Sequence, residues 1–350
     1  METMKTTYPI PVAIEGLQSF HSAEPFPLES GVVLPELEIG YHTYGRLNAA
    51  GDNVVWVCHA LTANSEVLDW WSGLFGQGTV IDPEEHFIVC ANILGSCYGT
   101  TGPRSIDPRT GEAYGLDFPV VTIRDLVRAH DRLRQYLGIE KINLCIGGSC
   151  GGHQVLEYAL FQPDLIERMA LLVTSARESA WSIAIHEAQR MILEADPTFV
   201  ENTDKAGAVA LRAARGNALL HYRTSEAYVN RQTDRDERLE HFSAGSYIRY
   251  QGEKLERRFY AHCYYQLLKT LDTHHLGRGR GGLEKTLQDI KIPALVIAID
   301  TDRLIPKVEQ LFLAKHLPMS TYRLIESKYG HDGFLIEVAQ ISRALQEWWT

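Results

Sequence analysis

Three residues far apart in the chain have the types and the order of a nucleophile, an acid and a base: Ser149, Asp302 and His331. A serine hydroxyl is a poor nucleophile at neutral pH, so it needs a histidine to take its proton and a carboxylate to orient that histidine. Ser149 lies in "IGGSCGG" (146–152), which admits a G-x-nucleophile-x-G turn around either Ser149 or Cys150. Such a turn, between a strand and a helix, lifts one side chain to the top of a sheet, and small residues must flank it because backbones crowd there. With Ser149 at the apex, the two tight positions that follow are Gly151 and Gly152; with Cys150, the second becomes the bulky His153. The apolar run also stops at Ile146, which suits the serine register. Ser149 is therefore the candidate nucleophile.

Its partners must follow in the order acid, then base, each on a loop after a strand. The run "PALVIAID" (293–300) is followed by Asp302, and "TYRLIES" (321–327) by "KYGHDGF" with His331. Asp300 ends its apolar run and Asp302 lies two residues on, where a loop can turn it toward His331. Asp302 is the choice, with Asp300 as the alternative. The remaining histidines, among them His130, His153, His186, His274 and His275, read as packing or surface residues. An oxyanion hole needs two N–H donors; the backbone of Cys150 would supply one and that of Leu61, after "VVWVCHAL" (54–61), the other.

These residues need a sheet to stand on. The runs at 54–61, 86–94, 142–148, 168–176, 293–300 and 321–327 are short, β-branched and apolar, with amphipathic segments between them. That pattern predicts an α/β fold with a mostly parallel sheet covered by helices. "TIRDLVRAHDRLRQYLG" (122–138) places Ile123, Leu126, Val127, His130, Leu133 and Leu137 on one helical face, and "CGGHQVLEYALFQP" (150–163) runs as a helix to Pro163. From 177 to 285 no strand pattern appears. This segment reads as an inserted helical lid, with 1–176 and 286–350 forming a discontinuous catalytic core. Its end, "GRGRGGLEK" (277–285), matches G-x-G-x-x-G but follows no strand, so it reads as a flexible return linker and not a dinucleotide site.

Composition removes several classes. Lys and Arg number 34 against 44 Asp and Glu, a formal charge of −10, with no basic run to grip nucleic acid. The stretch "METMKTTYPIPVAIEG" has no apolar leader core, and no apolar run approaches a membrane span, so a soluble, cytoplasmic protein is expected. Six cysteines without a C-x-x-C pair indicate neither a disulfide framework nor a zinc site.

Several stretches together resemble the homoserine O-acyltransferase family of α/β-hydrolase-fold enzymes, from about Leu37 to the C-terminus. They are "HALTANSEVLDWWSGLFGQGTVIDPEEHFIVCANILGSCYGTTGPRSIDP" (59–108), "DFPVVTIRDLVRAH" (117–130), "IGGSCGGHQVLEYA" (146–159), "AARGNALLHYRT" (213–224), "TDRLIP" (301–306) and "YGHDGFL" (329–335). The resemblance implies Ser149 as nucleophile, Asp302 and His331 as its partners, and Arg215 and Asp332 as holders of an amino-acid substrate. It implies ping-pong transfer of acetyl from acetyl-CoA to L-homoserine for methionine synthesis, with no bound cofactor or metal, in a homodimer joined through lid helices. Succinyl-CoA as donor, L-serine as acceptor, a plain serine esterase and a non-catalytic binding module are the alternatives. Cys150, His153 and Ile305 depart from the family pattern and bear on acyl-group preference. An anionic CoA requires a basic entrance, for which Arg104 and the Arg278/Arg280 pair are candidates.

Overall fold

A computed structural model describes residues 10–349; Met1–Pro9, most of the stretch read for a leader segment, lies outside them. Each of the six apolar runs becomes a strand of one eight-stranded sheet: β3 (Val54–Cys58), β4 (Phe87–Ala91), β5 (Leu144–Gly148), β6 (Met169–Leu172), β7 (Ala294–Ile299) and β8 (Ser320–Ile325). Two strands absent from the sequence reading precede them, β1 (Gln18–Ser22) and β2 (Leu37–Tyr44). Their polar residues hide them from an apolar-run search. β1 is largely half-buried, and within β2 the buried His42 directs Nδ1 to Ser65 Oγ at 2.8 Å.

The strand order is β1-β2-β4-β3-β5-β6-β7-β8. β1, β2 and β4 pair antiparallel, and every pairing from β4 through β3 to β8 is parallel. Alternate residues of the central strands enter two cores. Trp56, Cys58, Cys145, Met169 and Val296 face one side, and Val57, Ile146, Leu172 and Ile297 the other. Strands buried on both faces explain why the runs are continuous in the sequence.

Helices α1 (Ile123–Tyr136) and α2 (Cys150–Phe161) cover the first core, as the spacing anticipates. α1 begins with a reciprocal capping box between Thr122 and Asp125 and stops before Gly138 at φ +66°. Between β6 and β7 come α3 (Ala180–Glu194), α4 (Ala208–Tyr222), α5 (Ser225–Gln232), α6 (Ser243–Glu256), α7 (Ala261–Asp272) and α8 (Leu283–Asp289). The first and last parts of this segment are tied together: Glu178 N–H donates to His274 O at 2.9 Å and Leu276 N–H to Ala176 O at 3.0 Å. α9 (Lys307–His316) follows β7, and α10 (Val338–Trp349) closes the second core through Ile341 and Leu345. Gly277–Gly282 forms turns with no strand before it.

One approach governs the centre of the sheet. α2 leaves the end of β5 and presses against the end of β3, so that a Cβ on Gly151 would lie 2.0 Å from Cys58 O. Both partners are backbone, so neither can swing aside. Gly151→Ala should lower stability by about 3 kcal/mol through overpacking. In exposed Gly245, on α6 with open space around it, the same change should raise stability by about 0.5–1 kcal/mol through helix propensity. Urea unfolding of the two variants checks the pair.

Candidate active site

The turn from β5 into α2 bends at Ser149, whose φ of +56° and ψ of −124° place an L-residue in a region that side chains rarely adopt. Such a conformation costs on the order of 1–3 kcal/mol and persists only where the surroundings over-determine it. Here Ser149 N–H donates to Leu172 O at 2.9 Å, while Ser149 O accepts from Gly152 N–H at 2.9 Å and Thr174 Oγ1 at 3.0 Å. The flanking glycines have no room for a side chain: a Cβ on Gly147 would lie 2.4 Å from Gly151 C, one on Gly148 2.5 Å from the Phe334 ring, and one on Gly152 2.5 Å from Thr174 Cβ. Ser149, not Cys150, occupies the apex.

Cys150 instead opens α2. Its thiol is buried, accepts from Gln154 Nε2 at 3.6 Å, and burial pushes it up to about 12, so almost none of it is thiolate at neutral pH. The loop after β3 is drawn to the same place. Gln154 Nε2 donates to His59 O at 3.1 Å and Ile93 N–H to His59 Nε2 at 3.3 Å, fixing the entrance to Leu61. Among the described residues neither the Leu61 nor the Cys150 backbone N–H meets a hydrogen-bond acceptor.

On the other side of Ser149, the loops after β7 and β8 are stitched together. Asp300 Oδ1 accepts from Ser327 N–H at 2.9 Å, Thr301 Oγ1 donates to Ser327 O at 2.5 Å, and Gly330 N–H donates to Thr301 Oγ1 at 3.1 Å. Asp300 thus serves the turn. Asp302 reaches His331, with its Oδ2 at 2.7 Å from Nδ1, while its Oδ1 accepts from the N–H groups of Leu304 and Ile305 at 2.9 and 3.0 Å. Both side chains are nearly sealed from solvent. Burial alone would lower the His331 pKa, but the charge and hydrogen bond of Asp302, with Asp332 and Glu178 beyond it, outweigh burial and raise it above the ordinary imidazole value. The His331 ring lies between Tyr222 and Phe334, with centroids 5.9 and 5.7 Å away.

Leu61, Ser149, Arg215, His331 and Asp332 line one cavity of about 420 Å³. Arg215, on α4, stacks over Tyr222 at 5.4 Å. Asp332 accepts from Arg223 Nε at 2.8 Å, and Arg223 also donates to Tyr247 Oη. Arg223 escaped the sequence reading because nothing in "HYRT" distinguishes it from a surface cation. Lys254 and Arg258, which line the cavity too, escaped for the same reason. The candidate basic entrances lie elsewhere: Arg104 pairs with Asp204 at 2.7 Å, Arg278 with Glu29 at 2.9 Å and Arg280 with Glu157 at 2.8 Å, and none lines this cavity. Each is engaged by a carboxylate, Glu29 and Glu157 being shared with Arg124, which a linear sequence does not reveal. His153 stacks on His274 with centroids 3.9 Å apart, joining α2 to the end of the inserted helices. Ile305 packs with Ile185, Leu304 and Tyr222. All six cysteines are buried free thiols. Among the described residues no helix is long and apolar enough to cross a membrane, and no cluster of three or more metal-ligating side chains occurs.

Residues 53–338 match the family model of the alpha/beta hydrolase fold. The chain is 44% identical over 330 residues to "Homoserine O-acetyltransferase" of Cyclobacterium marinum, covering 94% of each chain. It is 45% identical over 339 residues to the protein of that name from Chlorobaculum parvum, covering 95% of each. Among solved structures it is similar to esterase E22, with a TM-score of 0.88 and 25% identity over 95% of this chain and 99% of the other.

Proposed function

We propose the chemistry of this chain from one premise: it belongs to the homoserine O-acetyltransferase family of the α/β-hydrolase fold. In this reading Ser149 attacks the thioester of acetyl-CoA while His331 takes its proton. Nδ1 of His331 is engaged by Asp302, which leaves Nε2 for the serine. Asp302 orients the ring and stabilises its cation. The N–H groups of Leu61 and Cys150 receive the oxyanion, CoA departs with the proton from His331, and an acetyl-serine remains. The γ-hydroxyl of L-homoserine then attacks, with His331 again as base, to give O-acetyl-L-homoserine for methionine synthesis.

One observation carries the choice of acceptor. Arg215 and Asp332, opposite in charge, line the cavity that holds Ser149 and His331. A zwitterionic amino acid needs such a pair, Arg215 for its carboxylate and Asp332 for its ammonium. Arg223 fixes Asp332 from behind and leaves one carboxylate oxygen for the substrate. Segment 177–285 acts as a lid over the core formed by 1–176 and 286–350, limiting hydrolysis of the acyl-enzyme. Exposed Met191, Val200, Val209 and Leu220 in this segment support a homodimer joined there. Six free thiols suit the reducing cytoplasm.

A serine esterase is the second reading, favoured by the likeness to esterase E22, and it requires neither Arg215 nor Asp332. Initial rates with acetyl-CoA and L-homoserine should give parallel double-reciprocal lines, with O-acetyl-L-homoserine as product, and succinyl-CoA and L-serine should be poorer partners. Arg215→Ala should lower kcat/KM for homoserine roughly 100-fold, the scale of a lost bidentate charged contact, while leaving acetyl-CoA hydrolysis in place. Equal retention of both activities would favour the esterase.

The raised pKa of His331 sets the acid side of the pH profile. Only the neutral ring accepts a proton, and a raised pKa keeps the ring cationic to higher pH. The acid limb of kcat/KM for acetyl-CoA should therefore fall above about 6.5, the ordinary imidazole value, and Asp302→Asn should move it lower. A wild-type limb below that value would contradict the electrostatic assignment.

A further inference from the structure

Several arginines of the inserted segment are neutralised by carboxylates: Arg190 pairs with Asp272 at 2.7 Å, Arg212 with Glu256 at 3.1 Å and Arg223 with Asp332 at 2.8 Å. Three cations without such a partner meet at one place. Arg215, Lys254 and Arg258 all line the active-site cavity, and among the described residues none is ion-paired with a carboxylate. Arg258 donates only to neutral acceptors, Thr62 O at 2.5 Å and Tyr98 Oη at 2.6 Å. In a chain of formal charge −10, this gathers three cations at one opening, against the two carboxylates, Asp69 and Asp332, that line it too.

The placement is built into the packing. α4, which carries Arg215, and α6, which carries Lys254, approach so closely that a Cβ on Gly252 would lie 2.6 Å from Arg212 O. Lys254 sits in the last turn of α6, where the helix's carbonyl end favours a cation, and its side chain is exposed. Arg258 follows four residues later.

The amino-acid acceptor brings one carboxylate, which the reading above assigns to Arg215. Two cations remain, and the acetyl group offers them nothing. The donor's remaining charge is on its phosphates. A cavity of about 420 Å³ that opens to solvent leaves the far part of a long donor at its rim, beside the exposed lysine. A lysine is a mobile point charge, suited to a phosphate held there. We propose that Lys254, assisted by Arg258, anchors the phosphate groups of the CoA donor. This rests on the acetyl-CoA reading and names the part of the site that recognises the donor.

The test compares two acetyl donors, acetyl-CoA and the phosphate-free thioester S-acetyl-N-acetylcysteamine, in wild type and in Lys254→Ala, Lys254→Glu and Lys254→Arg. KM for acetyl-CoA should rise roughly tenfold in the alanine variant and further in the glutamate variant, and return to within about threefold of wild type in the arginine variant. The phosphate-free donor's kcat/KM and the KM for homoserine should change less than about twofold, a charge-specific signature. Salt should weaken acetyl-CoA use more in wild type than in Lys254→Ala. An equal loss with both donors, a rise in KM for homoserine, or no change would overturn the assignment while leaving the acetyltransferase reading intact. Wild-type protein that turns over neither donor would remove both.

Discussion

Ser149 is held at φ +56° between two glycine pairs, and the rest of the molecule is arranged around that strained turn. An L-residue does not stay there unaided. β6 supplies the acceptor for its N–H, Thr174 and Gly152 donate to its carbonyl, and α2 is pressed onto the end of β3 where only Gly151 fits. The same packing ties the loop after β3 to α2, where Gln154 Nε2 donates to His59 O at 3.1 Å. In the proposed reaction the two backbone donors and the serine hydroxyl depend on this one steric constraint.

A second set of contacts joins the carboxylate to the imidazole. Asp300 and Thr301 fasten the loop after β7 to the loop after β8 through Ser327 and Gly330, and this join aims Asp302 at His331. The pair is buried and electrostatically coupled, which reverses the downward pull of burial on the imidazole. The electrostatic design is also divided in space. The chain is acidic overall, yet the cavity collects arginines and a lysine without carboxylate partners beside the Arg223-backed Asp332.

Much of this was legible in the chain. The six central strands are buried on both faces and so appear as unbroken apolar runs, and the glycines after Ser149 distinguish its register from that of Cys150 because bulk is excluded there. β1 and β2 were not legible, since exposure on β1 and the polar His42 on β2 break the runs. The choice of Asp302 over Asp300 depends on a loop turn that spacing only suggests. The charged residues were hardest. Arg104, Arg278 and Arg280 look no different in sequence from Lys254 and Arg258, and only tertiary structure separates those that face a carboxylate from those that face the cavity.

In the proposed reaction Ser149 carries the acyl group between donor and acceptor. Mass spectrometry of the protein mixed with acetyl-CoA alone, with peptide mapping, addresses it directly. One acetyl group is expected on the peptide containing Ser149, located on the serine, absent in Ser149→Ala and discharged when L-homoserine is added. An acetyl group on Cys150, or an unmodified protein that still transfers acetyl to homoserine, would contradict it.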